Sequence, residues 1–177
     1  VQGDGRCSEG WYAVLPAGYV CADGQEATLD LGHKIIRALP EGMLRGKKVL
    51  VGADCFPSLH FLLAGLAPKI GFELVTVPMS EGKAWVETAD FIAHWDRNVA
   101  LSLLTWVTST ASARMDYPAL VAHGRAMGSL MVADITQAVG LIPFDVQNPR
   151  VDFMISTSLK WLCGTPGAGV LYADKAL

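Results

Sequence analysis

The sequence has little charge and few cysteines, and these shortages exclude several classes of protein. Only 18% of its 177 residues are charged and 51% are hydrophobic, so we do not expect a disordered chain. The net charge is −3 with scattered basic residues, which argues against nucleic acid as the main partner. The 4 cysteines are far apart and lack metal-ligand spacing. They predict reduced thiols in a cytoplasmic protein and no metal site, with Cys55 and Cys163 interpreted as small core residues.

Long hydrophobic runs are also missing. No apolar stretch approaches the ~20 residues that cross a bilayer, and no basic-then-apolar signal segment opens the chain, so we expect no membrane partner. The length of 177 residues suffices for one domain with a sizeable core. We therefore expect a single domain over residues 1–177.

Short apolar runs typical of buried strands alternate with segments of helical spacing. Leu59, Leu62, Leu63 and Leu66, for example, predict a helix that begins near Pro57 and packs on a sheet. The predicted strands are 48–53, 73–77, 99–107, 130–133 and 151–155, and the predicted helices are 28–39, 57–66, 86–95 and 117–127. This order predicts an α/β fold of three layers, a mostly parallel sheet with helices on both faces.

An acid and a lysine follow two of these strands. Asp134 comes directly after the strand 130–133, and Lys160 lies a few residues past the strand 151–155. The carboxyl ends of neighbouring strands are where open α/β sheets bind ligands. This pair suits pyridoxal 5'-phosphate, which needs a lysine for its Schiff base and an acid to keep its pyridine nitrogen protonated.

The same two residues also have ordinary interpretations. An Asp at a strand end commonly caps a turn or a helix, and a Lys is most often a solvated surface charge. Their spacing alone leaves both interpretations open, so the surrounding residues have to decide.

Those surrounding residues form a long ordered pattern. It reads Asp134-x-x-Gln137-x-x-Gly140-x-x-Pro143-x-Asp145, then Val151-Asp152-Phe153, then Ser158-Leu159-Lys160-Trp161-Leu162-x-Gly164-x-Pro166-Gly167-x-Gly169-x-Leu171-Tyr172. The pattern resembles the class V aminotransferase family of pyridoxal-phosphate enzymes, which includes cysteine desulfurases, kynureninases and isopenicillin N epimerase-like proteins. The resemblance implies the large domain of the type I fold of these enzymes.

The resemblance also implies roles for individual residues. Lys160 would form the Schiff base, and Asp134 would pair with the pyridinium nitrogen. Gln137 would donate from its amide to the phenolic oxygen of the cofactor ring, although it has an alternative role as a turn cap. Thr157 matches a family hydroxyl that binds the cofactor phosphate.

Two further segments bear on the cofactor. The loop with Gly24 and Gln25 precedes the predicted helix 28–39, where backbone amides could bind an anion, although an ordinary capped helix start fits equally well. In the resembling family the phosphate-binding loop lies at this place in the order. Phe56 would be a core residue on composition alone. The segment Phe56-Pro57-Ser58 is nevertheless similar to the kynureninase segment whose Phe lies against the cofactor ring.

The sequence departs from the family at two positions. Leu59 stands where kynureninases have an Asp, which weakens the case for a kynurenine substrate. Leu159, directly before the lysine, stands where relatives have a polar residue that reaches the phosphate. Either cofactor affinity is lower than in relatives, or Ser158 takes over that hydrogen bond.

The resemblance covers residues 21–177 and only the large domain, so the domain predicted over 1–177 is expected to be incomplete. In the family, a C-terminal small domain supplies the arginine that grips the substrate carboxylate, and the cofactor lies at a subunit interface. We therefore expect a homodimeric enzyme acting on an amino acid as a desulfurase or lyase, an aminotransferase or an epimerase. The alternative is a truncated, non-catalytic fragment or binding module that keeps the fold.

Overall fold

The computed structural model describes residues 11–13, 19–21, 42–174 and 177. The chain divides into two units, Val1–Pro40 and Glu41–Leu177. In the first unit, β1 (Trp11–Ala13) pairs antiparallel with β2 (Tyr19–Cys21). The predicted helix 28–39 lies outside the described residues. That one domain spans both units stays a prediction.

A six-stranded sheet organises the second unit. Its strands are β3 (Lys48–Gly52), β4 (Glu73–Val77), β5 (Val99–Thr105), β6 (Leu130–Asp134), β7 (Phe153–Thr157) and β8 (Gly169–Ala173). They lie in the order β4-β3-β5-β6-β7-β8. All neighbours are parallel except β8, which pairs antiparallel with β7. The prediction of a mostly parallel sheet is confirmed.

Three helices of this unit are α1 (Pro57–Ile70), α2 (Thr88–His94) and α3 (Tyr117–Met127). Both α1 and α3 have a proline in their first turn. The backbone N–H groups of a first turn have no partner within the helix, so the missing N–H of proline costs no hydrogen bond there. Asp116 caps α3 as its side chain accepts from the backbone N of Ala119 at 3.3 Å. None of the helices in the described part of the chain is long and apolar enough to cross a membrane.

The two faces of the sheet bury different helices because side chains alternate along each strand. Leu50, Leu104 and Met131 pack with the buried residues of α2 and α3. Their neighbours Val51, Leu103 and Val132 point the other way and pack against α1. Helices therefore cover both faces, which confirms the predicted α/β class.

Two predictions about packing need correction. Of the four leucines expected to hold α1 on the sheet, Leu59 and Leu63 do so, whereas Leu62 and Leu66 are 58% and 41% exposed. Residues four apart share one side of a helix, so Leu59 and Leu63 face the sheet together. Cys55 is buried as expected, but Cys163 is exposed, because it lies in the loop after Lys160.

Strand β7 is shifted from the predicted range 151–155. Val151 and Asp152 are buried before the strand begins. The Asp152 carboxylate accepts from the backbone N of Met131 at 2.7 Å and pairs with Arg125 at 2.9 Å. At its other end β7 extends to Thr157, which pairs with Gly169 of β8, so Lys160 follows closely after the strand end.

Candidate active site

A cavity of about 460 Å³ lies at the carboxyl ends of β5, β6 and β7, beside the first turn of α1. We call it the sheet-edge cavity. Its volume falls within the ~300–1,000 Å³ range of small-molecule sites. The polar residues that line it are Ser58, Thr105, Ser109, Asp134, Thr136, Gln137, Ser156, Thr157 and Lys160.

Of the predicted site residues, the structure brings five together around this cavity. They are Phe56, Asp134, Gln137, Thr157 and Lys160. The other two, Gly24 and Gln25, lie outside the described residues. Residues more than 100 positions apart in sequence thus meet at one edge of the sheet.

Strand pairing explains why three of the polar residues converge. Asp134 is the last residue of β6 and lies opposite Thr105, the last residue of β5. Thr157 ends β7, the next strand, and adjacent strands run about 4.8 Å apart. Each of these residues lies two positions after a residue that packs against α1, namely Leu103, Val132 and Ile155. Side chains two apart on a strand share one face, so all three polar side chains lie on the face that α1 covers.

The Asp134 side chain is only 4% exposed. Its Oδ1 accepts from the backbone N of Thr136 at 3.0 Å, and no described residue donates to Oδ2. Burial raises the pKa of the neighbouring Cys55 thiol to about 11, and the negative charges of Asp54 and Asp134 add to that increase. Cys55 is therefore a neutral thiol at physiological pH, unsuited to act as a nucleophile here.

Lys160 lies in the loop that connects β7 and β8, and its side chain is exposed. Among the described residues none forms a hydrogen bond or an ion pair with its Nζ, so the amine is available to a ligand in the cavity. Leu159, beside it, is 43% exposed and does not line the cavity.

Ser158 serves the loop and not the cavity. Its Oγ lies 3.0 Å from the carbonyl oxygen of Thr165 and 3.1 Å from that of Ala168, and one hydroxyl hydrogen is shared between these acceptors. A Cβ added at Gly164 would lie 2.7 Å from Ser158 Oγ, so the two residues are in close contact. Ser158 is therefore a poor substitute for the polar residue that Leu159 replaces.

Thr157 has its hydroxyl hydrogen free for a ligand. Its Oγ1 accepts from the backbone N of Leu159 at 3.3 Å, while its own backbone N donates to Thr136 Oγ1 at 3.3 Å. Among the described residues the hydroxyl thus acts only as a hydrogen-bond acceptor. A phosphate oxygen in the cavity could accept the remaining hydrogen.

Sequence reasoning missed Thr105. It is 7% exposed, lines the cavity, and its Oγ1 has no hydrogen-bond partner among the described residues. A buried hydroxyl without a partner is costly, so a ligand in the cavity is the natural acceptor or donor for it. Its position near the carboxyl end of the predicted strand 99–107 was the signal that could have found it.

This set of groups fits pyridoxal 5'-phosphate. The cavity combines a lysine amine, a buried carboxylate with an unpaired oxygen, an aromatic ring at Phe56 and free hydroxyl hydrogens. A protonated pyridine nitrogen needs such a carboxylate, and the carbonyl carbon of the cofactor needs such an amine.

Comparison with known proteins identifies the family. Residues 33–177 match the family described as Aminotransferase class-V. The chain belongs to this family. The match covers most of the sequence, confirms the resemblance drawn from the motif around Asp134 and Lys160, and includes every described residue of the sheet-edge cavity. The class V family depends on pyridoxal phosphate.

Individual relatives of this chain are named for different activities. A kynureninase of Deinococcus radiodurans is 32% identical over 127 residues, which cover 71% of this chain and 29% of the relative. An uncharacterized aminotransferase of Bacillus subtilis is 37% identical over 133 residues, covering 75% of this chain and 35% of the relative. This chain therefore spans about a third of the length of these relatives.

Solved structures agree on the fold. The protein C-DES, solved as a mutant with glycine covalently linked to its PLP cofactor, matches with a TM-score of 0.67 at 19% identity. The match covers 75% of this chain and 36% of C-DES. The type I fold predicted for the large domain is confirmed.

Proposed function

We propose that this chain is the cofactor-binding part of a class V enzyme that attaches pyridoxal 5'-phosphate to Lys160 and acts on an amino acid. The observation that carries the proposal is the presence of Lys160 and Asp134 on one cavity at the carboxyl edge of the sheet. The reaction is a desulfurase or lyase, aminotransferase or epimerase reaction at a bond to Cα or Cβ, in keeping with the kynureninase and cysteine desulfurase activities named for relatives.

When bound, pyridoxal phosphate supplies an electron sink for negative charge that develops on the substrate carbon. Asp134 would hold a proton on the ring nitrogen with its free Oδ2, since a buried carboxylate stabilises a nearby cation. Thr157 would donate its hydroxyl hydrogen to the phosphate. Phe56 would cover one face of the ring and exclude water from it.

Lys160 would have two tasks in succession. Its amine would hold the cofactor covalently until an amino acid substrate takes its place. The released amine lies in the same cavity and would move a proton to or from the substrate α-carbon. Within the described cavity lining Lys160 is the one cationic side chain, so a second cationic group for the substrate carboxylate would come from outside that lining.

The covalent attachment can be tested directly. We expect the purified chain, after incubation with pyridoxal phosphate, to show an absorbance band in the near-ultraviolet to visible region. Borohydride should remove the band and leave the cofactor mass on the peptide that contains Lys160. A protein that stays colourless after incubation would instead support the alternative, a fragment that keeps the fold without cofactor chemistry.

We also propose that the protein is a homodimer. Large apolar side chains remain exposed, among them Phe61 at 79% and Leu171 at 61%. Such surface favours association, and a two-fold dimer is the simplest closed assembly. We expect sedimentation equilibrium to show a dimer that pyridoxal phosphate strengthens by mass action. A monomer both with and without cofactor, with the cofactor still tightly bound, would contradict this.

A further inference from the structure

The indole of Trp161 contacts a side chain of the sheet-edge cavity without lining the cavity itself. Its Nε1 lies 3.2 Å from Oε1 of Gln137, which does line the cavity. Trp161 is 53% exposed, so core packing does not account for an aromatic residue of this size here. Within the described part of the chain, its side chain forms a hydrogen bond to Gln137.

This contact determines the orientation of the Gln137 amide. An indole N–H can only donate, so the amide atom facing it has to be the oxygen. The amide nitrogen, with two hydrogens, then points away from Trp161. None of the described residues accepts a hydrogen bond from that nitrogen, so both hydrogens remain for a ligand.

The same two segments also lie close together at the backbone. Residues 135–139 form a tight turn in which the backbone N atoms of Ala138 and Val139 both lie 2.8 Å from the oxygen of Ile135. Gly140 follows this turn with φ +89°, and a Cβ there would approach the Trp161 oxygen to 3.2 Å. The turn with Gln137 and the loop with Lys160 therefore lie close together at Gly140, and the indole of Trp161 links them by a hydrogen bond.

We propose that Trp161 is a positioning residue that holds the Gln137 amide with its N–H groups toward the cavity, ready to donate to an oxygen of the cofactor. This rests on the proposed function, in which the cofactor occupies the sheet-edge cavity. Rotation of an amide by 180° exchanges a donor for an acceptor. Without the indole, the amide oxygen can face the ligand oxygen, and two acceptors oppose each other.

The first test uses the cofactor-free chain of 177 residues. Trp161→Phe keeps an aromatic ring and removes only the indole N–H. We expect the side-chain amide resonances of Gln137, assigned with Gln137→Leu, to shift in Trp161→Phe, and the indole N–H resonance of Trp161 to shift in Gln137→Leu. Trp85→Phe is the matched control, because Trp85 is partly exposed and does not line this cavity.

The second test measures pyridoxal phosphate binding. Loss of one hydrogen bond at the ligand corresponds to about a 3- to 10-fold rise in the dissociation constant. We expect Trp161→Phe and Gln137→Leu each to cause such a rise. Both variants should also shift the pH midpoint of the visible cofactor band, and the two shifts should have the same sign. In the double variant the effect of Trp161→Phe should vanish, since it acts through Gln137.

Two results would overturn the proposal. One is a Gln137 amide spectrum that is unchanged by Trp161→Phe in the cofactor-free protein. The other is a binding effect of Trp161→Phe that persists in full in the Gln137→Leu background. Failure of cofactor attachment at Lys160 is a separate outcome, because the amide spectra are recorded without cofactor.

Discussion

Lys160→Ala should abolish covalent capture of pyridoxal phosphate while the chain still folds. The side chain is exposed in a loop and its Nζ bonds to none of the described residues, so its loss removes little packing. Without the amine, the cofactor can bind only non-covalently. Turnover should fall by about 10²- to 10⁴-fold, because a positioned acid–base group usually contributes that much to the rate.

The measurement is mass spectrometry after borohydride treatment, with the visible spectrum recorded before and after. Lys69→Ala is the matched control, since Lys69 is an exposed lysine in the last turn of α1, away from the sheet-edge cavity. The control should keep the adduct at Lys160. An adduct that survives in Lys160→Ala would assign the covalent attachment to another lysine.

Asp134→Asn should retain the cofactor and lower turnover by about 10²-fold or more. Removing a group that stabilises charge in the transition state typically has an effect of this size. The amide keeps an oxygen that can accept from the backbone N of Thr136, so local structure is preserved. It lacks the negative charge that keeps a ring nitrogen protonated, and the electron sink weakens accordingly. Steady-state rates, together with the cofactor content of each preparation, check this result.

Asp152→Asn is the matched control for Asp134→Asn. Asp152 is buried to the same extent, 4% exposed, but it pairs with Arg125 and accepts from the backbone N of Met131 outside the cavity. We expect this control to lower the free energy of unfolding by about 1–3 kcal/mol and to leave the cofactor spectrum unchanged. Near-normal turnover in Asp134→Asn would remove Asp134 from the mechanism.

Much of the second unit could be predicted from local sequence. The strand 73–77 and the helix 117–127 occur with the predicted bounds, and Asp116 caps that helix. These features depend on residues only a few positions apart, namely side-chain periodicity, a proline in the first turn and a capping carboxylate. Residue types around Asp134 and Lys160 were also sufficient to identify the family.

The bounds of β7 were less predictable. Val151 and Asp152 belong to an apolar segment, which favours a strand that begins with them. The Asp152 carboxylate, however, accepts a hydrogen bond from the backbone N of Met131 in the neighbouring strand. A side chain that bonds to a different strand is not visible in local periodicity, and neither is the pairing of Thr157 with Gly169 at the other end of β7.

The sequence by itself determined the α/β class, the family and the chemical groups available to a cofactor. Only the tertiary structure decided how those groups are used. Strand pairing placed Thr105 opposite Asp134. Loop packing turned Ser158 away from the cavity and left the hydroxyl hydrogen of Thr157 without an acceptor among the described residues. The bond from Trp161 to Gln137 spans 24 residues and requires the loop after β7 to meet the turn after β6. Hydrogen-bond partners of this kind depend on the distances between packed segments, and sequence periodicity does not carry those distances.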